Sequence, residues 1–293
     1  MNLNRFFDIE KVVVHPGSAH RDDFISIALI LGSVPGSCIQ IERRDPTEED
    51  LKNPSVLVVD QGREHNPDLN NYDHHHFSQD KEPACSITLI LMALECYEEA
   101  LIAWHWLKPT EFQDVRGPNL LAKELNLPGG GDVLLSINSS PVEGHMLNVF
   151  QKQRIIEPGD FLFDFFEEMG QSLIKGLSSI MERLEDLKKN VAIYEICGLK
   201  VIDNSYISKD NHPGRGMGIY RKKFHPDAQV SISSDKRGDG ISMTRTNDDG
   251  IIDFRKIQGK PGVRFAHGSG FMCALDANID PKPLIELSIV SNK

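Results

Sequence analysis

Residues 11–31 of this chain read KVVVHPGSAHRDDFISIALIL, and this stretch decides the fold that the sequence predicts. Its first four residues, Lys11–Val14, are rich in β-branched side chains and predict a buried strand. Its last eight residues, Phe24–Leu31, are apolar enough to form a buried helix. Strands that alternate with helices build α/β proteins, so this pattern favours an α/β fold with a parallel sheet.

The turn between this strand and this helix carries several groups that bind metal ions. His15, His20 and Asp22 lie within it, and ligands of open α/β sheets bind beyond the carboxyl ends of the strands. Asp23 comes next, and we interpret it as a charge in the first turn of the helix or as its N-cap, pointing away from the other donors.

Two further segments supply the same kinds of donor. Residues 56–60 read VLVVD, a buried-strand pattern that ends in Asp60, and residues 72–76 read YDHHH. If the strands are neighbours, Asp60 and His74 join the donors of the first turn. Imidazole nitrogens and carboxylate oxygens together suit Mn²⁺, Zn²⁺ or Fe²⁺ better than Ca²⁺. Five donors exceed the needs of one tetrahedral ion, so we predict two metals with Asp60 as the bridging ligand. A histidine-rich surface loop is the alternative.

The rest of the chain predicts two domains. Strands near 11–14, 38–43 and 56–60 alternate with a helix near 23–32 and a polar segment near 46–53. Further helices are predicted at Cys85–Tyr97, Asn119–Asn126 and Phe161–Asn190, and strands within Val191–Asp203 and Gln229–Thr246. We predict an N-terminal parallel-sheet domain over residues 1–160, a connecting helix over 161–190 and a smaller α+β substrate-binding domain over 191–293.

Length and composition agree with an enzyme of a reducing compartment. The chain has 293 residues, of which 26% are charged and 40% hydrophobic, as in ordinary soluble proteins. Its five cysteines lack CxxC spacing, which argues against a disulfide framework or a structural zinc site. No apolar run reaches the length of a membrane span and no signal peptide precedes the first strand, so we expect a cytoplasmic protein without a membrane partner.

The charge of the chain is distributed unevenly. A net charge of −11 speaks against a nucleic-acid coat protein, but residues 200–264 contain 13 Lys and Arg against 8 Asp and Glu. Within them, Arg221-Lys222-Lys223 follows a glycine-rich segment, residues 212–218, which we interpret as a turn. Such a turn and its basic neighbours can approach a phosphate, although an ordinary surface turn explains them equally well.

Together these motifs resemble the DHH phosphoesterase superfamily. The order His15-x4-His20-x-Asp22, then Val58-Val59-Asp60, then Tyr72-Asp73-His74-His75 is similar to that of its Myg-type (UPF-class) branch, which has histidine in place of the usual first-motif aspartate, as at His20. Residues 259–271, GKPGVRFAHGSGF, resemble the C-terminal block of the same branch.

The resemblance implies roles for individual residues. It places one metal on His15, His20 and Asp60 and the second on Asp22, Asp60 and His74. His75 would contact the scissile phosphate, and His76 has no role. A further aspartate completes the second metal; we assign it by motif matching to Asp114, with Asp132 as the competitor, although the glycine-rich turn before Asp132 explains that residue without a function.

The resemblance also implies a substrate-binding block near the C-terminus. His267, Gly268, Ser269 and Gly270 correspond to a glycine-rich segment that faces the metal site in DHH proteins. A histidine and a serine among glycines can contact a phosphate or a ribose, whereas a tight turn would need the glycines only for backbone geometry. Arg245 and Arg264 are predicted helpers in substrate binding.

We therefore expect a metal-dependent phosphoesterase whose site lies between its two domains. The predicted reaction is hydrolysis of a phosphodiester bond by a water activated by two divalent metals, with a short RNA or DNA strand or a nucleotide as substrate and exonuclease action. Mn²⁺ is the first choice, with Mg²⁺, Zn²⁺ or Fe²⁺ as alternatives. Hydrolysis of amide or ester bonds with one zinc, or a catalytically inactive nucleotide- or RNA-binding protein, are the other interpretations. A homodimer is left open.

Overall fold

The computed structural model describes residues 1–78, 80–128, 130–131, 141–205, 213–235, 238–246 and 250–290. It divides into two units, Met1–Ser178 and Ser179–Lys293. The predicted α/β class is confirmed, because strands and helices alternate through the first unit. The predicted helix Phe161–Asn190 is also confirmed, and the division between the units falls inside it. The domain limits at residues 160 and 190 stay predictions.

The sheet of the first unit is parallel at its centre. Its strands are β1 (Lys11–Val14), β2 (Gln40–Arg43), β3 (Val56–Val59), β4 (His65–Asn66), β5 (Asn71–Tyr72) and β6 (Ile155–Ile156). They lie in the order β4-β5-β3-β1-β2-β6. Strand β1 pairs in parallel with both β2 and β3, and β3 pairs in parallel with β5. The edge strands β4 and β6 are antiparallel to their neighbours. The carboxyl ends of β1, β3 and β5 therefore meet at one edge of the sheet.

Helices cover this sheet and one of them differs from its prediction. The helices are α1 (Arg21–Ser33), α2 (Glu48–Lys52), α3 (Ser86–Ala93), α4 (Tyr97–Ala103), α5 (Leu107–Arg116), α6 (Pro118–Glu124), α7 (Pro141–Phe150) and α8 (Phe161–Asn190). The single helix predicted over Cys85–Tyr97 is wrong, because the chain reverses between α3 and α4. Glu95 has a φ of +54°, outside the right-handed helical region. An apolar run shows burial, and it does not show where the chain turns.

Helix α1 packs against α8 with almost no space between their backbones. A Cβ atom at Gly170 would collide with the carbonyl oxygen of Ala28, and one at Gly32 would collide with the backbone of Gly170. Two glycines facing each other let the helices approach this closely. The approach holds α1, and the polar turn before it, against the rest of the first unit.

The second unit is built on a separate sheet. Its strands are β7 (Ala192–Ile196), β8 (Leu199–Asp203), β9 (Val230–Ser234), β10 (Gly240–Arg245), β11 (Val263–Ala266) and β12 (Met272–Asp276), and its further helices are α9 (Pro213–Phe224) and α10 (Lys282–Ser288). The order is β11-β12-β10-β9-β8-β7, antiparallel except for the pair β8 and β9. The strands predicted within Val191–Asp203 and Gln229–Thr246 are confirmed.

The glycine-rich segment of the second unit is not a turn. Residues 213–218 form the first half of α9, and residues 211–212 lie outside the described residues. A Cβ at Gly216 would collide with the side chain of Arg183, so this glycine serves a close approach to the long helix. The predicted phosphate-binding turn is therefore wrong. Arg221, Lys222 and Lys223 lie in the last turn of α9.

No helix among the described residues is both long enough and apolar enough to cross a bilayer.

Candidate metal centre

Asp60 lies at the centre of the predicted site. It follows β3 directly and its side chain is only 3% exposed. Its φ of +59° is uncommon for a residue other than glycine, and outliers of this kind concentrate at functional sites. The Oδ2 atom lies 3.5 Å from Nε2 of His15, which follows the neighbouring strand β1. The Oδ1 atom lies 3.0 Å from Nε2 of His74, which follows β5. The two oxygens of one carboxylate thus face imidazoles from two different strands.

Helices supply the remaining donors. His20 is the N-cap of α1, and Asp22 lies in its first turn. Asp114 comes from α5, and its Oδ2 lies 3.2 Å from Nε2 of His74. The sequence did not predict α5, so the position of Asp114 beside the strand ends depends on how this helix packs. Asp132, the competing residue, lies outside the described residues.

These side chains form three overlapping groups whose potential ligand atoms lie within 4.8 Å of one another. The groups are His15, His20 and Asp60; His20, Asp22 and Asp114; and Asp60, Asp73, His74 and His75. All six predicted ligands therefore lie together, and their assignment to individual ions stays a prediction.

Several buried atoms of this cluster lack hydrogen bonds. Nε2 of His15, Oδ1 of Asp22 and Oδ2 of Asp23 make no hydrogen bond within the described part of the chain, although the His15 and Asp23 atoms lie 3.3 Å apart. Leaving such atoms unpaired in a protein interior costs free energy. Divalent cations bind this mixture of carboxylate oxygens and imidazole nitrogens, so the residues present fit a metal centre.

The pKa values of the cluster also fit a metal centre. Burial, followed by the charges of Asp22 and Asp114, raises the pKa of Asp60 to about 10. Burial and the charge of Asp22 likewise raise the pKa of Asp114 to about 7. Burial and the neighbouring His20 lower the pKa of His15 to about 4. Crowded carboxylates oppose one another's ionisation, and a bound cation would reverse that effect.

His75 differs from the other donors. Its side chain is 55% exposed, and its Nδ1 lies 2.6 Å from Oδ1 of Asp73. This hydrogen bond raises the pKa of His75 to about 9. Burial acts to raise the pKa of Asp73, but hydrogen bonds from His75 and from the Arg63 backbone outweigh it and lower that pKa to about 2. Asp73 therefore orients a cationic imidazole at the rim of the cluster.

Asp23 corrects one interpretation of the sequence. It caps α1, because its Oδ1 accepts a hydrogen bond from the His20 backbone at 3.0 Å. However, it does not point away from the other donors, since its Oδ2 lies 3.3 Å from Nε2 of His15. Burial and the charges of Asp22 and Asp60 raise its pKa well above the usual range.

Arg43 and Asp73 were not singled out from the sequence. Arg43 is 4% exposed and donates from Nη2 to the carbonyl oxygens of His15 and Gly17, each at 3.0 Å. It therefore holds the loop that carries His15. An arginine at the end of a strand does not indicate such a role from the sequence. Asp73 could have been found, because it lies directly before the histidine run.

A cavity of about 410 Å³ opens beside the cluster. It is lined by His20, Asp22 and Asp114 together with Thr110 and Leu147. Its volume lies within the range of small-molecule sites. A small chemical group has room there.

Several of the substrate-binding residues predicted in the second unit make hydrogen bonds within that unit. His267 Nδ1 lies 2.8 Å from Ser269 Oγ. Arg264 donates to Asp235 Oδ2 at 2.6 Å, and Arg245 donates to a backbone carbonyl at 3.0 Å. Gly270 has a φ of +71° and a Cβ there would collide with Asp253, so its backbone geometry requires glycine, whereas a Cβ at Gly268 would meet no described atom within 4 Å. Their role in binding stays a prediction.

Comparison with known proteins gave the following. No protein-family model and no curated protein matches the chain. Among solved structures, it is similar to a DHH domain described as a member of a family of ribosomal proteins, with 14% identity, a TM-score of 0.33, and coverage of 97% of this chain and 86% of that one. It is also similar to RecJ from Thermus thermophilus in complexes with Mg²⁺ and with Mn²⁺, with 14% identity, TM-scores of 0.31 and 0.29, and coverage of 97% of this chain. The chain spans about half the length of RecJ, 49% and 52% in the two structures.

Proposed function

We propose that this chain is a metal-dependent phosphoesterase of the DHH type, closest to the Myg-type branch, which hydrolyses phosphodiester bonds. One observation carries the proposal. The two carboxylate oxygens of Asp60 face His15 and His74, which follow the two strands on either side of β3. This is the placement that a ligand shared by two metal ions requires.

The residues divide into two ligand sets. His15, His20 and Asp60 would hold one ion, and Asp22, Asp60, His74 and Asp114 the other. When bound, two such ions lower the pKa of a water and neutralise charge on the reacting phosphate and leaving oxygen. The mixed nitrogen and oxygen donors favour Mn²⁺, with Mg²⁺, Zn²⁺ and Fe²⁺ as alternatives.

His75 would contact the phosphate itself. Asp73 occupies its Nδ1, and the side chain of His75 is 55% exposed, whereas Asp60 and His74 beside it are buried. A hydrogen-bond donor at this position stabilises negative charge that grows on the phosphate oxygens in the transition state.

Short RNA or DNA, cleaved from an end, is the proposed substrate, and the cytoplasm the proposed location. The excess of Lys and Arg in residues 200–264 supports binding to a phosphate backbone. His267, Gly268, Ser269 and Gly270, with Arg245 and Arg264, are the proposed contacts of the second unit.

The test is hydrolysis of a short 5′-labelled oligonucleotide. We expect cleavage with Mn²⁺ and none with EDTA, and we expect Asp60→Ala to abolish cleavage while keeping the circular dichroism spectrum. Asp68→Ala is the matched control, since Asp68 is exposed and lies outside the cluster. Absence of cleavage of RNA, DNA and dinucleotides with every divalent metal would contradict the proposal.

A second function has one observation in its favour. Three of the donors, His15, His20 and Asp60, form a ligand group by themselves. Two histidines and one carboxylate are the kind of donor set that a catalytic zinc site uses to hydrolyse amide or ester bonds. One tightly held zinc per chain, with ester hydrolysis and no oligonucleotide cleavage, would support this alternative. Two ions per chain would exclude it.

A further inference from the structure

Asp22 is held by a chain of two buried hydroxyl groups. Ser86, the first residue of α3, donates from Oγ to Asp22 Oδ2 at 2.9 Å. Ser26, in the second turn of α1, donates to Ser86 Oγ at 3.1 Å. Both serines are fully buried and Asp22 is 1% exposed. Because a hydroxyl has a single proton, the bond that Ser86 accepts from Ser26 leaves its own proton for Asp22.

This arrangement distinguishes the two oxygens of Asp22. Oδ2 is occupied by Ser86, whereas Oδ1 is buried and has no hydrogen-bond partner in the described part of the chain. Asp22 also belongs to the group formed with His20 and Asp114. Ser86 therefore fixes the orientation of the carboxylate, and Oδ1 is the oxygen that no described protein group engages.

We infer that Ser86, supported by Ser26, is a positioning residue that makes Asp22 a one-oxygen ligand and thereby favours small six-coordinate ions over Ca²⁺. The inference rests on the metal centre of the proposed function. Ca²⁺ takes six to eight oxygens and uses carboxylates with one or both oxygens, whereas Mg²⁺ demands near-octahedral geometry. To present both oxygens to one ion, the Asp22 carboxylate would have to rotate, and its hydrogen bond to Ser86 opposes that rotation.

Burial makes this restriction effective. If that rotation lengthened the bond, water could not replace Asp22 as the acceptor of the Ser86 hydroxyl, because the hydroxyl is buried. An unsatisfied buried donor costs free energy. Hydrogen bonds of this kind to metal ligands are worth about 10–100-fold in metal affinity.

The test measures metal binding directly on metal-free protein. Titration calorimetry and the Mn²⁺ electron paramagnetic resonance spectrum would be compared for the wild type and Ser86→Ala. We expect about 10–100-fold weaker Mn²⁺ binding, a smaller change for Ca²⁺, and therefore a reduced preference for Mn²⁺. Ser33→Ala is the matched control, because it removes another buried hydroxyl of α1, one that donates only to the carbonyl of Ile30.

Two further variants separate positioning from folding. Ser26→Ala keeps the bond between Ser86 and Asp22 and removes only its support, so we expect an intermediate loss of Mn²⁺ preference. Ser86→Thr keeps the hydroxyl and should retain the preference of the wild type. Equal weakening of Mn²⁺ and Ca²⁺ in Ser86→Ala, or no change in either, would overturn the inference while leaving the metal centre intact. A wild type that binds no metal would instead overturn the proposed function and, with it, this inference.

Discussion

At the scale of single residues, Asp60 is a buried carboxyl group with several other carboxyl groups close to it. It is buried, adopts a left-handed backbone conformation and lies among Asp22, Asp114 and Asp73. Burial and those neighbours raise its pKa to about 10, so the metal-free protein must either protonate this carboxyl or tolerate a buried charge. A site that is unfavourable when empty and favourable with a cation is expected of a metal centre.

We predict that Asp60→Asn removes metal binding and stabilises the metal-free protein. The amide keeps the shape of the side chain, and asparagine tolerates a positive φ. The free energy of unfolding in EDTA at pH 8 should rise by about 1 kcal/mol or more, because a buried carboxylate is lost. Mn²⁺ titration and chemical denaturation check both effects. Asp68→Asn should change neither, and an Asp60→Asn protein that still binds two ions would contradict the bridging role.

The same residue predicts a pH dependence. The folded pKa of Asp60 lies above its unfolded value of about 4, so its carboxyl binds a proton more tightly in the folded state. The metal-free protein therefore loses stability as pH rises from about 4 towards 10. The rise in melting temperature caused by Mn²⁺ should be larger at pH 8 than at pH 6, and the stability gained by Asp60→Asn should grow over the same interval. A gain independent of pH would contradict this assignment.

His75 provides a prediction that separates catalysis from metal binding. We expect His75→Gln to lower kcat about 10²–10³-fold, as the loss of a transition-state donor does, with Mn²⁺ affinity nearly unchanged. Oligonucleotide cleavage and Mn²⁺ titration measure the two quantities. His76→Gln is the control, because His76 is exposed in the same run and belongs to none of the metal-binding groups of the described residues. A large loss of Mn²⁺ affinity in His75→Gln would make His75 a metal ligand instead.

At the scale of elements, the contact between α1 and α8 holds the polar turn in place. We predict that Gly170→Ala lowers the free energy of unfolding by about 1–3 kcal/mol, because its methyl group collides with the backbone of α1. Gly176→Ala, in the same helix, should raise it by about 0.5–1 kcal/mol, since its Cβ would meet no described atom within 4 Å. Urea denaturation measures both. Equal effects of the two substitutions would contradict the close approach.

Elements also differ in how far the sequence predicts them. The β-branched run at Lys11–Val14 and the periodic helix Phe161–Asn190 were predicted with their observed limits, because each pattern is local. The apolar run from Cys85 to Tyr97 predicts one helix, whereas the structure has two helices there. The glycine-rich segment predicts a turn, whereas its residues 213–218 are helical. In both cases tertiary packing overrides local preference.

At the scale of the whole molecule, the two units differ in charge and in their tryptophan content. The basic segment, residues 200–264, lies in the second unit, whereas all six predicted metal ligands lie in the first. The second unit has its own core, formed by residues such as Val230, Met243 and Phe254. The two tryptophans of the chain, Trp104 and Trp106, both belong to the first unit.

Tryptophan fluorescence should therefore report unfolding of the metal-binding unit alone. We predict that Mn²⁺ raises the midpoint of the fluorescence transition, because binding stabilises only the unit that holds the ions. Circular dichroism at 222 nm, which reports both units, should retain a component that Mn²⁺ does not move. Identical shifts in the two signals would show that the units unfold as one.

The sequence by itself determined which side chains are available for chemistry and the three strands β1, β2 and β3 at the centre of the first sheet. His15 and Asp60 follow predicted buried strands, because hydrophobic patterning is local and polar residues end it, whereas the sequence places His74 only in a loop. Tertiary structure alone decided the order β5-β3-β1, which brings those strand ends together, and the packing of α5, which adds Asp114. It also decided that Asp23 faces His15 and that Ser86 holds Asp22. The physical reason is distance along the chain: residues far apart in sequence meet only through strand order and helix packing, which no local pattern encodes.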